Sequence, residues 1–296
     1  MLSVIGDDDV GQGLLDNTSS YNVDVSGISI IAEAQTASYT AIHDNTGDLS
    51  LAVADMNIFR NINEEYINHY YSDLISSKVI VVDGNISYNA LKCITSYLAN
   101  NQVLIFEPTS DHKCLLPFLQ RPPLIHMIDI IKPNLSELRV LAEASLSSNN
   151  GNIDNDTKNK FEELKMTDNV DDIGFMASIL LNSMEKNNDL DKYKHVLVSL
   201  GKRGVIWCTR SPAIKDCDNY HHHQLRSKYY YTLIQSLPVD VIGNTNGAGD
   251  AFLGGFIAQA AKEKQNKILD KINLSTIQSG LIAAKEKLLY NNNKKR

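Results

Sequence analysis

The segment VIGNTNGAGDAFLGGF, residues 241–256, places a single carboxylate, Asp250, inside a cluster of glycines at 247, 249, 254 and 255. Glycine lets backbone N–H groups approach a ligand closely, and the apolar residues that follow predict a helix starting near Gly247. A helix N-terminus carries unsatisfied donors and partial positive charge, so it suits an anion such as phosphate. Asp250 then falls in the first turn, beside the anion site. Acids also gather in first turns simply because the helix dipole favours them, so position alone does not assign this one a task.

Other groups are weighed in the same way. In Lys132-Pro133-Asn134-Leu135-Ser136-Glu137, the Asn and Glu stand three apart at the start of a predicted helix, the spacing of a cap with an acid at N3. Ser199-Leu200-Gly201-Lys202-Arg203-Gly204 ends in a tight turn between two apolar runs. His221, His222 and His223 lie near Cys217, but neighbours on an extended chain point to opposite faces, which favours a solvated loop over a metal site. Asp7, Asp8 and Asp9 after Gly6 read as a capped turn before a helix. Gly11-Gln12-Gly13 lacks the third glycine of a dinucleotide-binding turn.

The elements that must position these residues alternate in type. Residues 78–83 predict a buried strand, 87–99 a helix capped by Ser87, and 102–106 the next strand, ending at Glu107-Pro108. Another strand is expected over 125–131, closed by Pro133, then a helix over 135–144. Residues 195–200 and 205–208 predict strands joined by the 201–204 turn. This alternation implies an α/β fold with a mostly parallel sheet covered by helices on both faces. Two regions break the rhythm. Residues 28–42 and 49–54 flank the turn sequence Asn45-Thr46-Gly47-Asp48 and predict a small antiparallel sheet, a lid or an edge hairpin, within about residues 28–58. The polar stretch at about 147–160 predicts a mobile surface loop.

Composition narrows the function. The 296 residues are 43% hydrophobic and 21% charged, as in a soluble globular protein. A net charge of -7 without a basic stripe argues against general nucleic-acid binding, and the basic end at 294–296 reads as a solvated tail. Cys93, Cys114, Cys208 and Cys217 form no CxxC pair or zinc spacing and point to a reducing, cytoplasmic setting. The start carries no signal-peptide pattern, and no apolar run has the length to span a bilayer.

Taken together, these stretches resemble the ribokinase-like (PfkB) carbohydrate kinases. The 247–250 sequence is similar to their Gly-Ala-Gly-Asp anion hole, Asn134 to Glu137 to their Asn-x-x-Glu motif, and Ser199 to Gly204 to their nucleotide-side turn. Thr36-Ala37-Ser38-Tyr39, Asn45-Thr46-Gly47, Ala54-Asp55-Met56-Asn57-Ile58, Asp83-Gly84-Asn85-Ile86-Ser87 and Glu107-Pro108-Thr109-Ser110 with Lys113 look like the pseudouridine kinases, particularly the kinase part of eukaryotic pseudouridine-metabolising enzymes. For Asp55 and Asn57, ordinary turn chemistry after a strand is the competing reading.

The resemblance implies a single kinase domain over 1–296 that transfers phosphate from ATP to the 5′-hydroxyl of a nucleoside. It makes Asp250 the base, with the N–H groups of Gly247, Ala248 and Gly249 stabilising the transferring group. Glu137 would hold Mg²⁺ through water; Asn134, Ser199, Gly201 and Gly204 would face the nucleotide; Asp55, Asn57, Asp83 and Asn85 would hold the nucleoside. The lid strands offer a surface for a homodimer. Three departures are expected to matter. Asn244 stands where the family commonly has an Asp, which weakens the case for a monovalent cation. The chain starts where relatives have already supplied a strand and a glycine-rich sugar-binding segment, which implies an N-terminally incomplete domain. It also ends soon after Leu289, where related enzymes often add a further segment to the cation site. A kinase for another sugar or nucleoside, and a non-catalytic nucleotide- or partner-binding relative, therefore stay open.

Overall fold

A computed structural model describes residues 1–43, 49–148, 154–185, 193–210, 223–225, 229–239, 245–262 and 272–293. The expected turn at 45–48, His221 and His222, Cys217, Asn244 and the basic end at 294–296 lie outside these residues. The chain divides into two compact units, one of residues Met1–Ser77 with Asn85–Ala99, the other of Lys78–Gly84 with Asn100–Arg296.

The first unit opens with β1 (Ser3–Gly6), α1 (Asp9–Ser20) and β2 (Ile28–Ile31), a parallel strand pair joined through a helix. Asp8 caps α1 by accepting from Gly11 N at 2.7 Å, so the aspartate run is the expected capped turn. The antiparallel ribbon is β3 (Ser38–His43) paired with β4 (Leu49–Asp55). Residues 28–31 do not belong to it, contrary to the expectation of one strand over 28–42. The chain turns at Glu33, which has φ +59°, and Thr36 is then tied to the first strand's end. Its hydroxyl accepts from Gly6 N at 2.9 Å and donates to Asp8 Oδ1 at 2.6 Å. That local polar network outcompetes a continuous strand. The short helices α2 (Glu64–His69) and α3 (Tyr71–Ser76) pack on α4 (Tyr88–Tyr97), whose N-cap is Ser87, as its sequence predicts.

Among the described residues, the second unit is built on a sheet of seven strands. These are β5 (Val79–Asp83), β6 (Val103–Glu107), β7 (Ile130–Ile131), β8 (His195–Ser199), β9 (Val205–Thr209), β10 (His223–Leu225) and β11 (Tyr229–Ile234), in the order β10-β11-β9-β8-β7-β6-β5. Strands β5 to β8 run parallel; β9 is antiparallel to β8, β11 to β9 and β10 to β11. The helices are α5 (Leu135–Ser148), α6 (Asn155–Leu164), α7 (Val170–Met184), α8 (Ala248–Lys262) and α9 (Leu274–Asn293). Alternate residues sort the layers: Val103, Ile105, Leu197, Val205 and Trp207 pack with Phe252, Phe256 and Ile277 of α8 and α9. On the other side α7 lies against β8, β9 and β11. Helices therefore cover both faces, as the β–α alternation implies.

Three boundaries differ from the sequence reading. Strand β5 is not fully buried, because it closes one edge of the sheet and Val81 is exposed. Residues 125–127 form a 3₁₀ turn and β7 is only two residues long. The reason is Lys194, whose buried ammonium donates to the carbonyls of His126 and Ile128 and to Asp129 Oδ1, at 3.1, 2.9 and 2.9 Å. Those carbonyls are diverted from strand pairing. The polar stretch at 147–160 is not one loop: α5 runs to Ser148, and Asp154 caps α6 by accepting from Thr157 N at 2.7 Å.

Candidate active site

The parallel strands of the second unit end in polar residues. Strand β5 stops at Asp83, β6 at Glu107, β7 leads into Lys132-Pro133-Asn134 and β8 stops at Ser199. The carboxyl ends of parallel strands are where α/β sheets collect ligand-binding groups. Asn134 forms a bridge with Ser199, and Ser199 N donates to Pro133 O at 2.9 Å, which joins two of the sequence-predicted stretches.

Asn134 and Glu137 cap α5 reciprocally. Glu137 N donates to Asn134 Oδ1 at 2.9 Å, and Asn134 N donates to Glu137 Oε2 at 2.8 Å. The helix-start reading is thus correct as geometry, and it engages one Glu137 oxygen. Glu137 is almost wholly buried, and that burial holds its carboxyl above the usual range, offset in part by Asn134 N and Lys132.

Gly247 adopts φ +78°, a conformation that suits glycine, and directly precedes α8. Asp250 lies exposed in the first turn of that helix. Ala248 N donates to Thr245 O at 3.1 Å, so of the three expected anion-hole donors those of Gly247 and Gly249 have no partner among the described residues. Gly204 has φ +103°, and a Cβ there would fall 2.0 Å from Ile234 O; glycine is needed for the turn to pass under β11.

Two lysines that the sequence reading left without a role flank the start of α8. A Cβ built on Gly249 would lie 3.4 Å from Lys132 Nζ, and one on Gly247 would lie 3.8 Å from Lys287 Nζ. Lys132 Nζ is 3.0 Å from Glu107 Oε2. Burial pushes the Glu107 carboxyl up to about 7 against the pull of Lys132, and the nearby Glu137 and Asp250 carboxylates push the same way. Glu107, Lys132, Glu137, Gly249 and Asp250 therefore form one neighbourhood. Lys132 was legible beside the Asn134 motif; Lys287, on α9, had no local signal. Among the described residues no group of three or more His, Cys, Asp or Glu is disposed to hold a metal ion, and no helix is long and apolar enough to cross a membrane.

The proposed nucleoside residues are divided. Asp55, Asn57 and Asn85 belong to the first unit and Asp83 to the second. Asp55 Oδ1 accepts from Asn57 N at 3.2 Å and from Asn57 Nδ2 at 3.0 Å, which is the turn chemistry expected after a strand.

Residues 1–271 match the pfkB family of carbohydrate kinases, and the chain belongs to that family. It is 36% identical over 147 residues to a pseudouridine kinase of Escherichia coli, covering 50% of this chain and 45% of that protein. It is 31% identical over 248 residues to a pseudouridine-metabolizing bifunctional protein of Schizosaccharomyces pombe, covering 76% of this chain and 31% of that protein. The chain thus spans less than half the length of these two relatives. An adenosine kinase of Schistosoma mansoni solved with 2-fluoroadenosine superposes with a TM-score of 0.66 at 17% identity, over 97% of this chain and 73% of that one, which shows the ribokinase-like fold.

Proposed function

We propose that this protein transfers the γ-phosphoryl group of ATP to the 5′-hydroxyl of a nucleoside, with pseudouridine the preferred acceptor. The observation that carries the reading is the start of α8: N–H groups at Gly247 and Gly249 that have no partner among the described residues, with Asp250 in the same turn and a buried ammonium alongside. The hydroxyl oxygen bonds to the γ-phosphorus as the bond from that phosphorus to the β–γ bridging oxygen breaks. ADP leaves with the electron pair, and the hydroxyl proton passes to the Asp250 carboxylate. The N–H groups of Gly247 and Gly249 meet the charge that builds on the transferring oxygens.

Asn134, Ser199, Gly201 and Gly204 form the nucleotide side, and Asp55, Asn57, Asp83 and Asn85 the nucleoside side. Glu137 is suited to hold Mg²⁺ through water, since this ion keeps much of its hydration shell and binds phosphate oxygens rather than an all-protein cage. When bound, Mg²⁺ neutralises phosphate charge. The free thiols of Cys93, Cys114 and Cys208 are consistent with a cytoplasmic setting. The relatives named for pseudouridine support the acceptor.

The test is a screen of pseudouridine, uridine, adenosine, ribose and fructose with MgATP. Pseudouridine should rank first by kcat/KM. Preference for free ribose would keep the transfer chemistry and remove the acceptor assignment, and turnover of none would favour a non-catalytic relative.

A further inference from the structure

Among the described residues, three that are not glycine have positive φ: Asn22, Glu33 and Thr109. Asparagine tolerates that region, and Glu33 turns the chain after β2. Thr109, at φ +71°, is β-branched, and for such a side chain this backbone is a true outlier. Its cause is a tight turn directly after β6. Ser110 N donates to Pro108 O at 2.8 Å across Thr109, the hydrogen bond of a γ-turn, whose positive-φ form is rare and strained. The following residues hold the turn in place. Cys114 N donates to Ser110 O at 2.8 Å, and Ser136 Oγ of α5 donates to Asp111 Oδ2 at 2.6 Å. Strain of this kind persists only where the surroundings impose it, and it gathers at functional positions.

What the strain achieves is local. The positive φ folds the Thr109 hydroxyl back so that it donates to Glu107 O at 3.3 Å and accepts from Gly84 N at 2.9 Å. Gly84 N also donates to Glu107 O at 3.0 Å. These groups tie the end of β5 to the end of β6, one residue beyond their last paired positions, Asp83 and Glu107. The approach is close: a Cβ on Gly84 would lie 2.7 Å from Pro108 O and 2.9 Å from Lys113 Cβ. Gly84 N already has a backbone acceptor, so the hydroxyl is not needed to satisfy a buried donor. It adds a second hold on the segment that carries the exposed Asp83, at the cost of a strained residue.

We propose that Thr109 is a positioning residue for the acceptor: its hydroxyl fixes the Asp83–Gly84 end of β5 so that the Asp83 carboxylate is presented to hydroxyls of the nucleoside. The proposal rests on the kinase reading above, with Asp83 on the nucleoside side. Thr109 touches Gly84 and Glu107 rather than the substrate, and exchanges no proton with it.

Steady-state kinetics with pseudouridine and MgATP, calorimetric titration with pseudouridine and thermal melting of the full chain test this. Two variants lose the hydroxyl but differ in strain. Thr109→Val keeps the β-branch and should melt below the parent; Thr109→Gly relieves the strain and should melt above Thr109→Val. Both should raise the pseudouridine KM about tenfold, the scale of one lost hydrogen bond, with kcat within about threefold and the ATP KM within about twofold of the parent. Thr109→Ser returns the hydroxyl and should recover most of the loss. Because Thr109 acts through Asp83, adding Thr109→Val to Asp83→Asn should cost no further affinity, whereas independent roles would multiply. A pseudouridine KM that follows melting temperature instead of the hydroxyl, an equal loss for ATP, or multiplying losses in the double variant would overturn the role and leave a structural turn. A parent that binds pseudouridine without phosphorylating it would sink the kinase reading, and the role would stand if the variants' affinities fall in the same pattern. A parent that binds no pseudouridine would sink the acceptor assignment and this role together.

Discussion

Asp250 and Glu107 are both carboxylates near the start of α8, yet their surroundings set them to different work. Asp250 is exposed in the first turn, and it is the proposed base. Asp250→Asn keeps size and most hydrogen bonding but loses proton affinity, so turnover should fall by about 10²–10⁴-fold with ATP binding retained. Initial-rate kinetics and nucleotide titration check it, and turnover within a few-fold of the parent would remove Asp250 as base. Glu107 is buried, and its carboxyl is raised from the ordinary 4.5 to about 7. Because folding raises this pKa, the protonated form favours the folded state. Its contribution to stability is complete below about pH 4.5 and is lost as pH rises through about 7. Glu107→Gln should therefore flatten the fall of melting temperature with pH across that window, measured by calorimetry at several pH values; an unchanged slope would show that Glu107 does not titrate there. At this scale the sequence was informative where a residue's role is local: Asn134 with Glu137, Asp8 and Ser87 all cap helices as their spacing indicates. It was silent on Glu107 with Lys132, because the pairing of β6 with β7 that brings them together is a tertiary fact.

The elements show the same division between local and non-local causes. The alternation of apolar runs was enough to reveal the parallel strands and the helix after Gly247. The failures fell where side chains from elsewhere reclaimed the backbone, as Lys194 does before β7 and Thr36 does at the end of β1. The β3–β4 ribbon is the element most in need of a partner. Ile42 pairs across the ribbon with Leu51, and Ile42, Leu51 and Val53 are all at least half exposed. A two-stranded ribbon is marginal alone and gains from having an apolar face covered. The proposal of a homodimer through these strands follows from that exposure. Leu51→Asp with Val53→Asp should then convert a dimer to a monomer in light scattering after size exclusion. A parent that is monomeric at micromolar concentrations, or a variant that stays dimeric, would sink it.

On the scale of the whole molecule, the proposed ligands divide between the two units. The residues proposed to face phosphate, Glu137, Ser199, Gly249 and Asp250, belong to the second unit; of those proposed to hold the nucleoside, Asp55, Asn57 and Asn85 belong to the first and Asp83 to the second. Each unit has its own secondary-structure elements, so the two sets of proposed ligand residues can be read out separately. Local opening of backbone hydrogen bonds is suppressed where a ligand binds, by about 2.7 kcal/mol at a hundredfold excess over Kd. Hydrogen exchange read by mass spectrometry should therefore show ATP alone slowing exchange at residues 132–138, 199–204 and 247–252. Pseudouridine alone should slow exchange at 55–61 and 85–91, with the helix start at 247–252 much less affected. Both ligands together should protect both sets. The division has a physical basis: the groups suited to phosphate are buried or backbone donors at strand and helix ends, while Asp55 and Asn57 form an exposed turn that a neutral nucleoside can address through hydroxyls. Protection by ATP confined to the first unit would reverse the assignment of nucleotide and nucleoside sides. Protection of neither unit by pseudouridine, with ATP protection intact, would leave the phosphoryl site standing and remove Asp55, Asn57 and Asn85 from acceptor binding.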